Sequence, residues 1–136
     1  MVKLIMGLKG SGKTKQMINL ATAAVQEEQG DIVFIEKKPK LTFDLPHKVR
    51  LIDASQYDID GYDYLKGLIC GLHSSNYDIS HIFIDSLLQI IKRGVDEQTD
   101  EFFGWCDRFS NDKQIMFTIT ISQDINAATP KMKMYV

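Results

Sequence analysis

Arginine is scarce in this chain: Arg50, Arg93 and Arg108 are the only three among sixteen basic residues. A planar, bidentate clamp on a transferred phosphate is built from arginine in preference to lysine. Three scattered arginines and no evident lid therefore argue against a phosphotransferase that closes over its substrate. Cysteine is as sparse. Cys70 and Cys106 stand far apart in apolar helical contexts, and no C-x-x-C pair exists. That spacing argues against a structural zinc site and reads as two buried thiols in a reducing compartment. No stretch approaches the roughly 18 apolar residues needed to span a bilayer. Met1 to Met6 is too short an apolar run for a secretory leader, so a cytoplasmic location is expected. The formal charge of −2 gives no general attraction to nucleic acid or to anionic lipid. His47, His73 and His81 show neither ligand nor catalytic spacing and read as structural or exposed.

What is present is an ordinary globular composition, 44% apolar and 25% charged over 136 residues. That length suits one domain with one core. Val2 to Met6 is a β-leaning run that ends at Gly7. From Lys13 to Glu28 the apolar residues Met17, Leu20, Ala21, Ala24 and Val25 recur at three and four, the period of an amphipathic helix. Ile32 to Ile35 is a continuous β-branched and aromatic run, as in a strand covered on both faces. A charged loop from Glu36 to Lys48 follows, broken by Pro39 and Pro46. Val49 to Ile52 predicts a third short strand, and Leu65, Leu68, Ile69 and Leu72 predict a helix over Tyr62 to Leu72.

His81 to Asp85 repeats the buried-strand pattern with an acid at its end. A brief helix is expected from Leu87 towards Gly94. Thr99 reads as the N-cap of a helix carrying Phe102, Phe103, Cys106 and Phe109. Ile115 to Ile121 is a further strand, and Lys131 to Val136 reads as a last edge strand after a turn at Pro130. Tyr57, Tyr62 and Tyr64 lie among Asp58, Asp60 and Asp63, a poor setting for nucleic-acid phosphate and a better one for a helix entrance or a protein contact, with simple packing favoured. Strands and helices alternate throughout. The expected fold is one α/β domain over residues 1–136, three layers deep, with a mostly parallel sheet of five or six strands flanked by helices.

Gly7-Leu8-Lys9-Gly10-Ser11-Gly12-Lys13-Thr14 matches G-x-x-x-x-G-K-[ST] at every fixed position, between a predicted strand and a predicted helix. Glycines let backbone approach a phosphate without a Cβ in the way. The amides from Gly10 to Thr14 can form a nest at the positive end of the helix dipole, with Lys15 in the same first turn. Lys13 supplies a point charge for the β- and γ-phosphates, and the Thr14 hydroxyl suits magnesium. Lys9 could also reach a phosphate. An acid at the end of a neighbouring strand completes such a metal site, and Asp85 fits that role.

On these residues the chain resembles the P-loop NTPase superfamily, whose loop is the Walker A motif. The strand ending in Glu36, the segment Ile84-Asp85-Ser86-Leu87-Leu88 and the strand Phe117 to Ile121 followed by Ser122-Gln123 are similar to the RecA-like branch. The resemblance implies ATP and Mg2+ as ligands, Glu36 as the group that orients water, and Gln123 as a sensor of the γ-phosphate. Many members of that branch carry Glu directly after the magnesium-binding Asp, whereas this chain has Ser86. The D-x-x-G and N-K-x-D signatures of GTPases are absent, which leaves adenine as the default base.

A small magnesium-dependent ATPase that cleaves the β-γ bond is the leading expectation. A nucleotide-gated module for a protein partner or a second copy of the chain is its rival, favoured by Ser86. A small nucleoside kinase comes third. Thymidine kinases are similar in early strand order, but their zinc-binding cysteines and their Glu after the Asp are missing here.

Overall fold

The computed structural model describes residues 1–37 and 44–136, so Pro39 lies outside the described residues. Five strands, β1 (Val2–Met6), β2 (Asp31–Glu36), β3 (Val49–Asp53), β4 (Ile79–Ile84) and β5 (Met116–Ile121), form one sheet in the order β1-β5-β4-β2-β3. Every pairing is parallel. Parallel neighbours need a crossover between them, and the helices α1 (Lys13–Glu27), α2 (Gly61–Ser75), α3 (Leu87–Ile91), α4 (Glu97–Lys113) and α5 (Pro130–Lys133) lie in the connections and the tail.

The period of two along each strand sorts its side chains between two cores. On one face α1 lays Met17, Ala21 and Ala24 against Ile5, Ile32, Phe34 and Phe83. On the other, α2 contributes Leu65 and Ile69, α3 Leu87 and Ile90, and α4 Phe102, Phe103 and Cys106. These pack on Leu4, Val33, Ile35, Ile82, Ile84, Phe117 and Ile119. The result is the three-layer α/β architecture, with five strands and all of them parallel. Full burial of one phenylalanine contributes about 1.5–3 kcal/mol. Phe34, Phe83, Phe102, Phe103 and Phe117 are all fully buried, so both layers are anchored to the sheet by aromatic side chains.

Three expectations are corrected. The tail is not an edge strand: Pro130–Lys133 is a short helix, capped by the Thr129 hydroxyl, which accepts from the Met132 amide at 3.1 Å. Proline at the first helical position lacks only an N–H that would be unpaired anyway, and its fixed φ suits the turn. The tail still reaches the β1 edge, where the Leu4 amide donates to the Tyr135 carbonyl at 2.8 Å. The cap of α4 is Asp96 and not Thr99. Asp96 Oδ1 accepts from the Gln98 and Thr99 amides, while Thr99 Oγ1 accepts from the Asp96 amide at 3.1 Å, a reciprocal capping box. Of the two thiols, only Cys106 is buried; Cys70 is exposed.

His81 is structural. Its Nδ1 lies 2.8 Å from Glu28 Oε2 and its Nε2 lies 2.8 Å from Thr118 Oγ1. Burial lowers its pKa below the ordinary 6.5, against the opposing pull of Glu28. The neutral ring then donates from Nδ1 to Glu28 and accepts the Thr118 hydroxyl proton at Nε2. This chain of bonds ties the end of α1 to β4 and β5. Tyr62 is buried against Phe102, with ring centroids 4.9 Å apart, whereas Tyr57 and Tyr64 are exposed.

Candidate phosphate and metal site

The strand ends that follow β1, β2, β4 and β5 open on one side of the sheet, where the glycine loop emerges. Gly10 and Gly12 hold φ of 86° and 87°. A Cβ on either would meet nothing within 4 Å, so what they provide is the left-handed backbone and not room. Gly12 is the N-cap of α1 and no side chain caps the helix, nor is there an acid in its first turn. The first amides of a helix have no partner inside it, so this uncapped end offers N–H donors and a positive dipole to an anion. One amide of the expected nest is already engaged: that of Ser11 donates to the Leu8 carbonyl at 3.1 Å.

Lys13 is the first residue of α1 and is buried, with 8% of its surface exposed. Its ammonium donates to the Leu8 carbonyl at 2.9 Å and reaches Ser11 Oγ at 3.4 Å, which folds it back across the loop. Thr14 Oγ1 donates to Asp85 Oδ2 at 3.3 Å. Asp85 follows β4, and its amide donates to the Ile35 carbonyl of β2 at 2.9 Å, so the turn after β4 is tied to the adjacent strand end. The alternation that sends Phe34 and Phe83 toward α1 also sends Glu36 and Asp85 to that side. There, α1 begins with Lys13 and Thr14. Glu36 is 4% exposed and Asp85 6%.

These groups line a cleft of about 530 Å3 that holds Lys9, Gly10, Gly12, Lys13 and Thr14 from the loop and helix, with Glu36, Lys37, Asp85, Ser86, Gln89 and Ser122 from the other strand ends. Its volume lies in the range of small-molecule sites, about 300–1,000 Å3. Among the described residues three lysines face two carboxylates, and no arginine lines the cleft. Arg93 instead contacts Gln98 and lies 3.8 Å from Asp60.

Of the residues singled out from sequence, Lys9, Gly10, Gly12, Lys13, Thr14, Glu36 and Asp85 are brought together. Gly7 opens the loop, Ser11 touches Lys13, and Lys15 is an exposed residue of α1 that is not among those lining the cleft. Gln123 is half-buried and does not line the cleft; its neighbour Ser122 does. Sequence reasoning missed Gln89, Lys37 and Thr120. Thr120 Oγ1 donates to Asp85 Oδ1 at 2.7 Å. Its only sequence signal was a polar side chain on a buried strand.

Thr14 Oγ1 and Asp85 Oδ2 form a pair of hard oxygens suited to magnesium. Neighbouring ligands at about 2.0–2.1 Å from an octahedral ion lie about 3 Å apart, close to the separation seen. Among the described residues no three His, Cys, Asp or Glu side chains converge as a metal cage. A pair of protein oxygens that leaves the remaining ligands to phosphate and water is the usual magnesium arrangement.

No family model matches the chain, and no curated protein matches it by sequence. Solved structures do match in fold. Flagellar accessory protein FlaH from Methanocaldococcus jannaschii superposes with a TM-score of 0.63 at 16% identity, covering 98% of this chain and 65% of its own. At that identity the likeness is one of fold, and this chain spans just under two thirds of the length of that protein. Among the described residues no helix is long and apolar enough to cross a membrane.

Proposed function

We propose that the protein binds ATP with magnesium in this cleft and hydrolyses the β-γ phosphate bond. The observation that carries the reading is the Thr14–Asp85 contact of 3.3 Å at the head of an uncapped helix that also presents Lys13. Phosphate charge is met by the free amides of the first turn of α1 and by the Lys13 ammonium, released from the Leu8 carbonyl. Thr14 and Asp85 would hold the metal, which when bound would offset the negative charge that develops on the phosphate. Glu36 is the buried carboxylate of the cleft beside Asp85, and its role is to orient a water and take its proton. Adenine is assigned by default, because the guanine signatures are missing.

Ser86 favours a second reading from another class. It lines the cleft at the position where the RecA-like branch often carries Glu. With a hydroxyl in that place, turnover is negligible and ATP instead gates the affinity for a protein partner or a second copy of the chain. The nucleoside-kinase reading is the weakest, because no arginine lines the cleft.

Turnover of ATP by the purified chain with magnesium, beside Lys13→Ala, tests the proposal. Loss of one charged hydrogen-bonding group costs about 1.5–3 kcal/mol, so Lys13→Ala should weaken ATP binding by about ten- to a hundredfold and abolish turnover. Unchanged affinity sinks the site assignment. Lys13-dependent binding without turnover selects the gated module.

A further inference from the structure

We propose that Thr120 is a positioning residue for the metal: its hydroxyl holds the Asp85 carboxylate so that Oδ2 is presented to the cation beside Thr14. The proposal rests on reading the cleft as a magnesium–nucleotide site.

On β5 the odd-numbered residues Phe117, Ile119 and Ile121 pack under α2 to α5, which leaves Thr118 and Thr120 on the side of α1. Thr120 is fully buried. A valine would have the same shape and strand preference, so neither packing nor backbone propensity calls for a hydroxyl there. A buried hydroxyl is unfavourable unless its donor and acceptor capacities are met. Here both are. Thr120 Oγ1 donates to Asp85 Oδ1 at 2.7 Å and accepts from the Ser86 amide at 2.8 Å.

The two oxygens of Asp85 are therefore unlike. Oδ1 has a short, charge-assisted bond inside the sheet, while among the described residues Oδ2 has the 3.3 Å contact with Thr14. The longer bond is the one a cation displaces. With Oδ1 held, Asp85 offers one oxygen in one orientation, which matches the strict geometry of magnesium better than a rotating carboxylate would. The same hydroxyl holds the amide of Ser86, whose φ of 61° is left-handed, at the bend that leads into α3 and Gln89. Thr118 has its own task in the bond to His81, so the two buried threonines of β5 serve opposite ends of the sheet.

The test is the ratio of ATP affinity with MgCl2 to that with EDTA, measured by calorimetry within each variant so that a loss of folded protein cancels. Loss of a partner that orients a metal ligand typically costs 10- to 100-fold in metal affinity. Thr120→Val should reduce the ratio by about that factor at unchanged EDTA affinity, and Thr120→Ser should restore it. Added to Asp85→Asn, Thr120→Val should cause no further loss, because it acts through Asp85. A wild-type ratio in Thr120→Val, or an equal fall with and without metal, overturns the positioning role. If valine leaves no folded protein, Thr120→Ala is read by the same criteria. Wild-type protein that binds no ATP overturns the reading of the cleft itself, a result separate from metal-dependent binding that Thr120→Val leaves untouched.

Discussion

The Thr14 hydroxyl donates to Asp85 Oδ2 across 3.3 Å, joining residues 71 positions apart in the chain. One stands in the first turn of α1, the other just past β4, and β5 lies between their parent strands in the sheet. The contact unites the two halves of the proposed metal site, one hydroxyl and one carboxylate.

Asp85→Asn keeps the shape of the side chain and removes its charge. ATP affinity in magnesium should fall by about tenfold or more, to the level seen in EDTA, while the metal-free affinity stays unchanged. Paired titrations with and without chelator check this. A variant that keeps its response to magnesium places the metal elsewhere.

Glu36→Gln separates chemistry from binding. General-base assistance contributes about 10²–10⁴-fold, so turnover should drop by that order while ATP affinity is retained. Steady-state hydrolysis and equilibrium binding on the same preparation read the two effects apart. Full turnover in Glu36→Gln would transfer the role to another cleft residue, with Gln89 next to be tested.

His81 makes stability depend on pH. Burial holds its folded pKa below the ordinary 6.5. The neutral ring therefore contributes fully above pH 6.5. As pH falls through 6.5, the unfolded chain takes up a proton that the folded chain resists, and stability declines until pH passes the folded value. Urea denaturation between pH 8 and about pH 5 should show this fall in the wild type, and His81→Gln should flatten it. Equal slopes in the two proteins would assign the dependence to other groups.

Asp96→Ala removes the cap of α4 and should cost about 1 kcal/mol, lowering Tm by roughly 3–5 °C. ATP affinity should not change, because Asp96 is not among the residues lining the cleft. Thermal melts and a binding isotherm together check that the loss is confined to the helix end.

Much of the fold was legible because its signals are local. The apolar runs at Ile32 to Ile35 and Ile82 to Ile84 are strands wherever helices cover both faces, and the spacing of Met17, Ala21 and Ala24 is helical by period alone. The tail was misread for a local reason too. Thr129-Pro130 is a cap followed by a first-turn proline, and this signal outweighs the β-leaning Tyr135-Val136 that follows it. At α4, Thr99 and Asp96 both suit a cap, and only the directions of their hydrogen bonds separate cap from third helical residue.

By itself, the sequence determined the glycine loop, its place between strand and helix, and the identity of Lys13 and Thr14, because eight consecutive residues carry that chemistry within one turn of backbone. Asp85 and Glu36 could be proposed as strand-end acids, but only the parallel order β1-β5-β4-β2-β3 brings their ends to the same side as the loop. Tertiary structure alone decided the partner of Thr120. A threonine on a strand has the same local signature whether its hydroxyl meets water, a histidine or a carboxylate, and its partner here is supplied by the pairing of β5 with β4, 35 residues away along the chain.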